Sequence, residues 1–396
     1  MYRNKVRLLL GGFGIFLCLL PFYLFRLDFP PVQVWDEQYH VPAAQSYLGG
    51  LKSAYRNPGN PPLGKELIAL SIRLFGDQPW AHRLPSALSA AGVGALLFLG
   101  AWYLCAAWES GLLALLFWLG SPLAYLHARL AMLDMPTALF YCAGLLAFLP
   151  VLKNPGDPGR RRWIVFACLL AALGTAIKVI VASLFPLFFL GLFLVRDRLP
   201  LKRSLPTFFG SAFFLTILAW LLAYGILGIG PSELPKQIRR MVQVQSTMHK
   251  DYAGLSSWQD WFLGRGSLWF HSEKTPQGER FAALCANNPL LWIPGALALL
   301  GLLWRGLRGT PLATYLALAV PIQILCWMLL KSQWILSYGL PMEPVFCLAI
   351  PFLLHKQFQA KPGGRKFAAL WGFCLALAGI FYFAKIHSQV FGHFQA

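Results

Sequence analysis

Two adjacent acids, Asp36 and Glu37, stand in the stretch Val34-Trp35-Asp36-Glu37-Gln38-Tyr39-His40, directly after a long apolar run. Transfer of a sugar to a hydroxyl needs a carboxylate that accepts the hydroxyl proton while the oxygen attacks the anomeric carbon. Either Asp36 or Glu37 meets that requirement. The same pair reads equally as solvated loop acids, with Asp36 capping the helix that follows.

A second group of polar residues comes in Asn57-Pro58-Gly59-Asn60-Pro61-Pro62-Leu63-Gly64-Lys65. Prolines fix the backbone ahead of a helix whose first amides, together with Lys65, favour an anion. Arg83, Arg129, Asp134 and Lys178 then fall at or near the ends of apolar runs. A charge at that depth is costly unless it is paired or functional. Asp134 with Arg129 reads as an ion pair, whereas Arg83 and Lys178 lack a neighbour of opposite sign in sequence and suit a phosphate.

The elements that must hold these residues are set by composition. Of 396 residues, 57% are apolar and 12% charged, too oily for a soluble globular chain of this length. Hydropathy and its breakers predict about eleven membrane spans, near 6–27, 84–107, 110–127, 133–152, 163–178, 179–195, 206–230, 289–304, 311–330, 338–354 and 367–387. The first run lacks an Ala-x-Ala cleavage pattern and reads as a retained span. The expected architecture is therefore an all-α polytopic membrane protein, one domain over 1–396.

Lys and Arg cluster in the segments 153–162, 196–203, 305–308 and 356–366, which become cytoplasmic if the N-terminus is cytoplasmic. The net charge of +19 is then a topology signal, and nucleic acid is not an expected partner. Two long outer segments remain, 28–83 and 231–288, and the acids concentrate there. Leu63, Leu67, Leu70 and Leu74 share one helical face, the pattern of a helix lying in the interface. Seven of the eight cysteines sit in apolar runs, and Cys285 alone in a polar stretch; none has metal-ligand spacing. Nucleotide sugars are cytoplasmic, so an outward-facing transferase must draw its sugar from a lipid phosphate carried across the membrane. Neither a phosphate-binding Gly-Lys-Ser/Thr loop nor a dinucleotide glycine fingerprint is present.

Taken in order, Asp36-Glu37, Pro61-Pro62-Leu63-Gly64-Lys65, Trp80-Ala81-His82-Arg83-Leu84-Pro85, Ala128-Arg129-Leu130-Ala131-Met132-Leu133-Asp134, Gly174-Thr175-Ala176-Ile177-Lys178, Ser256-Ser257-Trp258-Gln259-Asp260-Trp261, Asn288-Pro289-Leu290-Leu291-Trp292 and Tyr338-Gly339-Leu340-Pro341 resemble the protein O-mannosyltransferases and their bacterial relatives, GT-C glycosyltransferases of the membrane. The resemblance implies a GT-C fold with interfacial helices in both outer segments and inversion at the anomeric carbon. It also implies a polyprenyl-phosphate-linked sugar, mannose or another hexose, as donor, and an acceptor hydroxyl on a protein, lipid or glycan. It places Asp36 and Glu37 at the catalytic centre, favouring Asp36 as base. Arg83, Lys178, Lys65 and Arg129 fall toward the donor phosphate, and Asn60, His40, Asp134 and Tyr338 toward the acceptor or in supporting positions. The setting it implies is a bacterial inner membrane with the site facing outward, among membrane lipids, with a divalent metal ion as a possible cofactor. Two departures stand out: Asn60 occupies a position usually held by His, and Lys331-Ser332 stand where an Arg is usual.

Overall fold

The computed structural model describes residues 2–49, 57–247, 256–263, 265, 267–274, 280–329, 335–358, 370, 372–374 and 377–380, with backbone alone for 2–9, 271–274, 280–283 and 357–358. In chain order the elements are α1 (Tyr2–Leu24), α2 (Glu37–Leu48), α3 (Leu63–Phe75), α4 (Pro79–Cys105), α5 (Trp108–Leu119), α6 (Pro122–Ala128), α7 (Asp134–Ala147), α8 (Leu149–Lys153), α9 (Arg160–Thr175), α10 (Leu184–Leu194), α11 (Leu201–Ile226), α12 (Leu234–Thr247), α13 (Trp258–Phe262), β1 (Leu268–Lys274), β2 (Arg280–Cys285), α14 (Pro289–Leu307), α15 (Pro311–Leu329) and α16 (Glu343–Phe358). Two 3-10 segments, Val179–Ser183 and Leu336–Met342, precede α10 and α16.

Among the described residues six helices are long and apolar enough to cross a membrane, or seven if α5 and α6, bent by 72°, count as one span. The bend has a local cause: Gly120 ends α5, Pro122 opens α6, and the Ser121 hydroxyl accepts the Ala124 N–H. The eleven spans expected from hydropathy are thus recovered in part. The run 179–195 divides into a 3-10 turn and the short α10, the run 163–178 ends at Thr175, and 367–387 lies mostly outside the described residues. The paired strands β1 and β2 were not legible as strands.

α4 is the hub, touching α1, α3, α5, α7 and α16. Gly100 allows a close approach: a Cβ there would lie 2.5 Å from Leu146 of α7, the small-residue packing that helices use in lipid. The alternation of spans puts the C-terminus of α1 and the N-termini of α4, α7, α14 and α16 at one end of the bundle. Arg160, Arg196, Arg203, Arg305 and Lys356 stand at the opposite end.

At the first end, α2 and α3 form a layer across the tips of the spans. Val41, Ala44, Ile68, Ala69, Ile72 and Ala131 make its small core. α3 lies as its pattern predicts, with Leu70 and Leu74 exposed on the outer face and Ile68 and Ile72 inside. Gly64 seats this layer, since a Cβ there would meet Leu133 at 2.7 Å and Ile177 at 3.0 Å. The Leu63 N–H also donates to the Ala176 carbonyl at 3.1 Å. These contacts hold α3 against the residues that precede Asp134 and Lys178.

Candidate active site

The two neighbouring acids part company at the start of α2. Glu37 is buried, and its two oxygens accept four N–H groups: Arg83 Nε at 2.9 Å and Ala131 N at 2.7 Å on Oε1, Arg83 Nη2 at 2.9 Å and Val34 N at 2.8 Å on Oε2. That uses the acceptor capacity of a carboxylate. Arg83 is equally committed, since Nη1 also donates to the carbonyls of Leu27 (3.1 Å) and Pro30 (2.8 Å) and Nη2 to that of Val32 (3.0 Å). All five guanidinium donors are engaged. The pair therefore clamps the end of α1, the chain entering α2, the start of α4 and the link between α6 and α7. In this arrangement the Arg83 N–H groups and the Glu37 oxygens are all engaged with each other and with the backbone.

Asp36 is different. It occupies the N-cap position of α2, and its carbonyl accepts the N–H groups of Tyr39 and His40, but its carboxylate makes no capping bond. Partly accessible, it lies within electrostatic reach of Lys178 and Asp134. Burial pushes its carboxyl up to about 6, against the pull of the Lys178 cation and with the help of the Asp134 charge. The residue before it, Trp35, holds φ at +54°, a left-handed conformation that costs a bulky residue on the order of 1–2 kcal/mol. Its ring is held by a parallel stack on Phe270, centroids 4.5 Å apart. Phe270 is the residue skipped by a bulge between the β1–β2 pairs Trp269–Leu284 and His271–Ala283. The bulge turns its ring inward onto Trp35 and the edge of His127.

The partners of the remaining charges differ from the sequence expectation. Asp134 pairs with Lys178 (Nζ–Oδ1 2.8 Å) rather than with Arg129. Arg129 instead donates to the carbonyls of Phe25 and Arg26, capping the C-terminal end of α1, and lies over the Tyr125 ring. Separations of 44 and 46 residues hide the Lys178–Asp134 and Arg83–Glu37 pairs from a local reading. Among the described residues Asp134 is the one hydrogen-bond partner of Lys178, whose ammonium sits 5.1 Å from the centre of the Tyr338 ring. Tyr338 in turn stacks on Trp327 at 4.5 Å.

Lys65 is buried and donates to the carbonyls of Asn57 (2.7 Å) and Asn60 (2.9 Å). Burial brings its ammonium down to about 7, with Glu66 opposing. It braces the turn before α3, where Asn57 takes φ +57°, a conformation that Asn tolerates. His40 is buried and meets the Asn57 amide through Nδ1 at 3.2 Å; burial, Lys65 and Lys178 hold its imidazole well below its ordinary range, hence neutral. Asn60 lies half-buried in the same turn.

Sequence reasoning missed three contributors. Glu343, fully buried at the head of α16, accepts from Ser121 Oγ (2.5 Å) and Trp292 Nε1 (2.8 Å). His127 is fully buried, donates from Nδ1 to the Leu123 carbonyl (2.8 Å), and has no hydrogen-bond partner at Nε2 among the described residues. Phe270 closes over Trp35. The signal of Glu343 and His127 was the charge or polarity of isolated residues in apolar runs, which carries no direction until the helices pack. Cys285, read as standing in a polar stretch, is buried at the end of β2. Among the described residues no three His, Cys, Asp or Glu side chains converge as a metal site. Lys331 and Ser332 lie outside the described residues.

With this geometry in view, the known proteins are informative. The fold is that of ArnT from Cupriavidus metallidurans: the apo crystal structure aligns with a TM-score of 0.61 at 18% identity over 93% of this chain and 63% of that one. The structure of ArnT bound to undecaprenyl phosphate aligns with a TM-score of 0.59 at 17% identity, over 93% and 64%. This chain is thus a polytopic helical membrane protein of GT-C architecture, spanning somewhat under two thirds of the ArnT length. Residues 59–224 match the sequence profile of the dolichyl-phosphate-mannose-protein mannosyltransferase family, a stretch that holds Asn60, Lys65, Arg83, Arg129, Asp134 and Lys178 but not Asp36. No curated protein matches the chain.

Proposed function

We propose that this protein is an inverting glycosyltransferase that moves a hexose, mannose being the first candidate, from a polyprenyl-phosphate carrier to an acceptor hydroxyl at the outer face of a bacterial inner membrane. The observation that carries the reading is the division of the acidic pair. Glu37 is saturated by Arg83 and two backbone amides, while Asp36, uncapped and partly accessible, stays beside the Lys178–Asp134 pair.

In the proposed step the ionised Asp36 carboxylate takes the acceptor proton, the acceptor oxygen bonds to the anomeric carbon, and the bond from that carbon to the carrier phosphate breaks. The charge left on the phosphate is met by Lys178, preorganised by its bond to Asp134. Asp134 lowers the net charge of the cation's surroundings without leaving it free to move. Lys65, His40 and Asn60 shape the turn beside this site, and Tyr338 holds the Lys178 ammonium against its ring. Binding of undecaprenyl phosphate by a protein of the same fold supports a lipid phosphate as carrier. Basic residues at the far end of the bundle support an outward site.

The test is to incubate the purified chain with a panel of polyprenyl-phosphate sugars, each with peptide, lipid and glycan acceptors, and to measure release of free lipid phosphate. Release with one sugar and one acceptor class assigns both. Absence of release across the panel, from protein shown to be folded, removes the reading.

A further inference from the structure

About 20 Å along α14 from Trp292, at 1.5 Å per residue, the other end of the bundle contains a pocket of about 490 Å³. It is lined by Trp304, Arg305, Arg308, Thr310, Leu353 and Leu354, and its size falls within the range of about 300–1,000 Å³ usual for small-ligand sites. Three features make it electropositive. Two of its lining residues, Arg305 and Arg308, are arginines, and Arg308 lies over the Trp304 ring with its central carbon 4.7 Å from the centroid. The third is the start of α15: Thr310, the residue before that helix, lines the pocket, so the positive end of the helix dipole lies at the pocket wall.

The approach to the pocket is as informative as its lining. Leu297, Leu300, Trp304 and Leu307 follow one another at helical spacing on the outer face of α14 and are 61%, 63%, 58% and 77% exposed. From Leu297 to Leu307 this stripe runs about 15 Å, half of a hydrocarbon core of about 30 Å, so it is as long as one leaflet is deep. It ends at the two arginines. A water-soluble anion has no use for such a track, whereas a lipid has a phosphate at one end of it and acyl chains along it.

We propose that this pocket seats the phosphodiester of an anionic glycerophospholipid from the leaflet opposite the Asp36 site, with its acyl chains along the exposed stripe of α14. Arg305 and Arg308 grip the phosphate as guanidinium forks. The Trp304 indole shields one of them from water, and Leu353 and Leu354 floor the glycerol region.

The experiment uses the full chain, native mass spectrometry, and phosphatidylglycerol against phosphatidylcholine of identical acyl chains. Wild type should retain phosphatidylglycerol about tenfold better, the order of effect expected of two arginines at an anionic lipid. Arg305→Gln/Arg308→Gln should lose the preference, and Arg160→Gln/Arg161→Gln, at the same end but outside the pocket, should keep it. Glycerol 3-phosphate and inorganic phosphate should not displace the lipid. No preference in wild type overturns the proposal, as does a preference that survives in the pocket variant or displacement by either soluble phosphate. If the glutamine variant does not fold, Arg305→Lys/Arg308→Lys retains charge but not the fork and should still weaken retention; unchanged retention there counts against the site equally.

Discussion

Replacing Asp36 by Asn should make the protein inactive and, above neutral pH, more stable. The carboxyl is shifted from 3.8 to about 6 in the folded chain, which at 1.36 kcal/mol per unit is about 3 kcal/mol of penalty on the ionised form. Asp36 keeps some access to solvent, and screening brings the expected effect to about 1–2 kcal/mol. Because the folded value is raised, the penalty is absent below 3.8, grows between 3.8 and 6 and is complete above 6. The Asn variant should therefore melt higher than wild type at pH 8, with the difference vanishing toward pH 4. Turnover, followed as released lipid phosphate, should fall about 10²–10⁴-fold, the usual contribution of a general base. In wild type kcat/KM should climb through an apparent value near 6. Turnover within a few-fold of wild type refutes the assignment of Asp36 as base. Equal melting of the two proteins at pH 8 refutes the account of its surroundings.

Glu37→Gln should behave in the opposite way: a Gln amide turns an N–H toward donors already aimed at Oε1 or Oε2, and breaking such a buried pair costs about 3–5 kcal/mol, read as loss of folded protein in size-exclusion and thermal assays. Lys178→Met should lower turnover about 10²–10³-fold and destabilise the chain by leaving Asp134 buried and unpaired; adding Asp134→Asn should restore melting but not turnover, and recovery of both would assign Lys178 a purely structural place. Gly64→Ala drives a methyl to 2.7 Å from Leu133 and should cost about 1–3 kcal/mol while raising KM, since α3 must lift from the residues before Asp134 and Lys178. Phe270→Ala removes the stack on Trp35, worth about 0.5–1.5 kcal/mol beyond area, and a fall in kcat with melting unchanged would show that the ring serves the site more than the fold.

The membrane character and the exposed face of α3 were legible because each rests on composition or on period. Leu63, Leu67, Leu70 and Leu74 repeat at helical spacing, and no tertiary contact is needed to read them. The charges were legible as charges but not as pairs. Asp134 was matched to Arg129, five positions away, because sequence offers proximity and nothing else; the fold spends Arg129 on the carbonyls at the end of α1 and brings in Lys178 from the link between α9 and the 3-10 segment Val179–Ser183. Arg83, read as free for phosphate, had its partner in the acidic pair itself. β1 and β2 escaped notice because their inward residue, Phe270, is produced by a bulge, which breaks the alternation that marks a strand. Glu343 and His127 escaped because a single polar residue in an apolar span shows neither which way it faces nor what it meets.

The relation between the two acids bears on how such a site can work at all. A catalytic carboxylate near lipid must be dry enough for its pKa to approach the working pH, yet fixed enough to meet a substrate in one place. Those demands conflict in a single residue, because each bond that fixes a carboxylate also stabilises its charge and lowers its basicity. On the proposed reading they fall on consecutive residues. Glu37 takes four hydrogen bonds and anchors the start of α2 to α4 and to the approach to α7. Asp36, one peptide away, shares the position, and among the described residues its carboxylate makes no capping bond. Trp35 absorbs the backbone strain on the other side and is pinned by Phe270. If Asp36 is the base as proposed, exchanging the two, Asp36→Glu with Glu37→Asp, should abolish release of lipid phosphate even though composition and charge are unchanged.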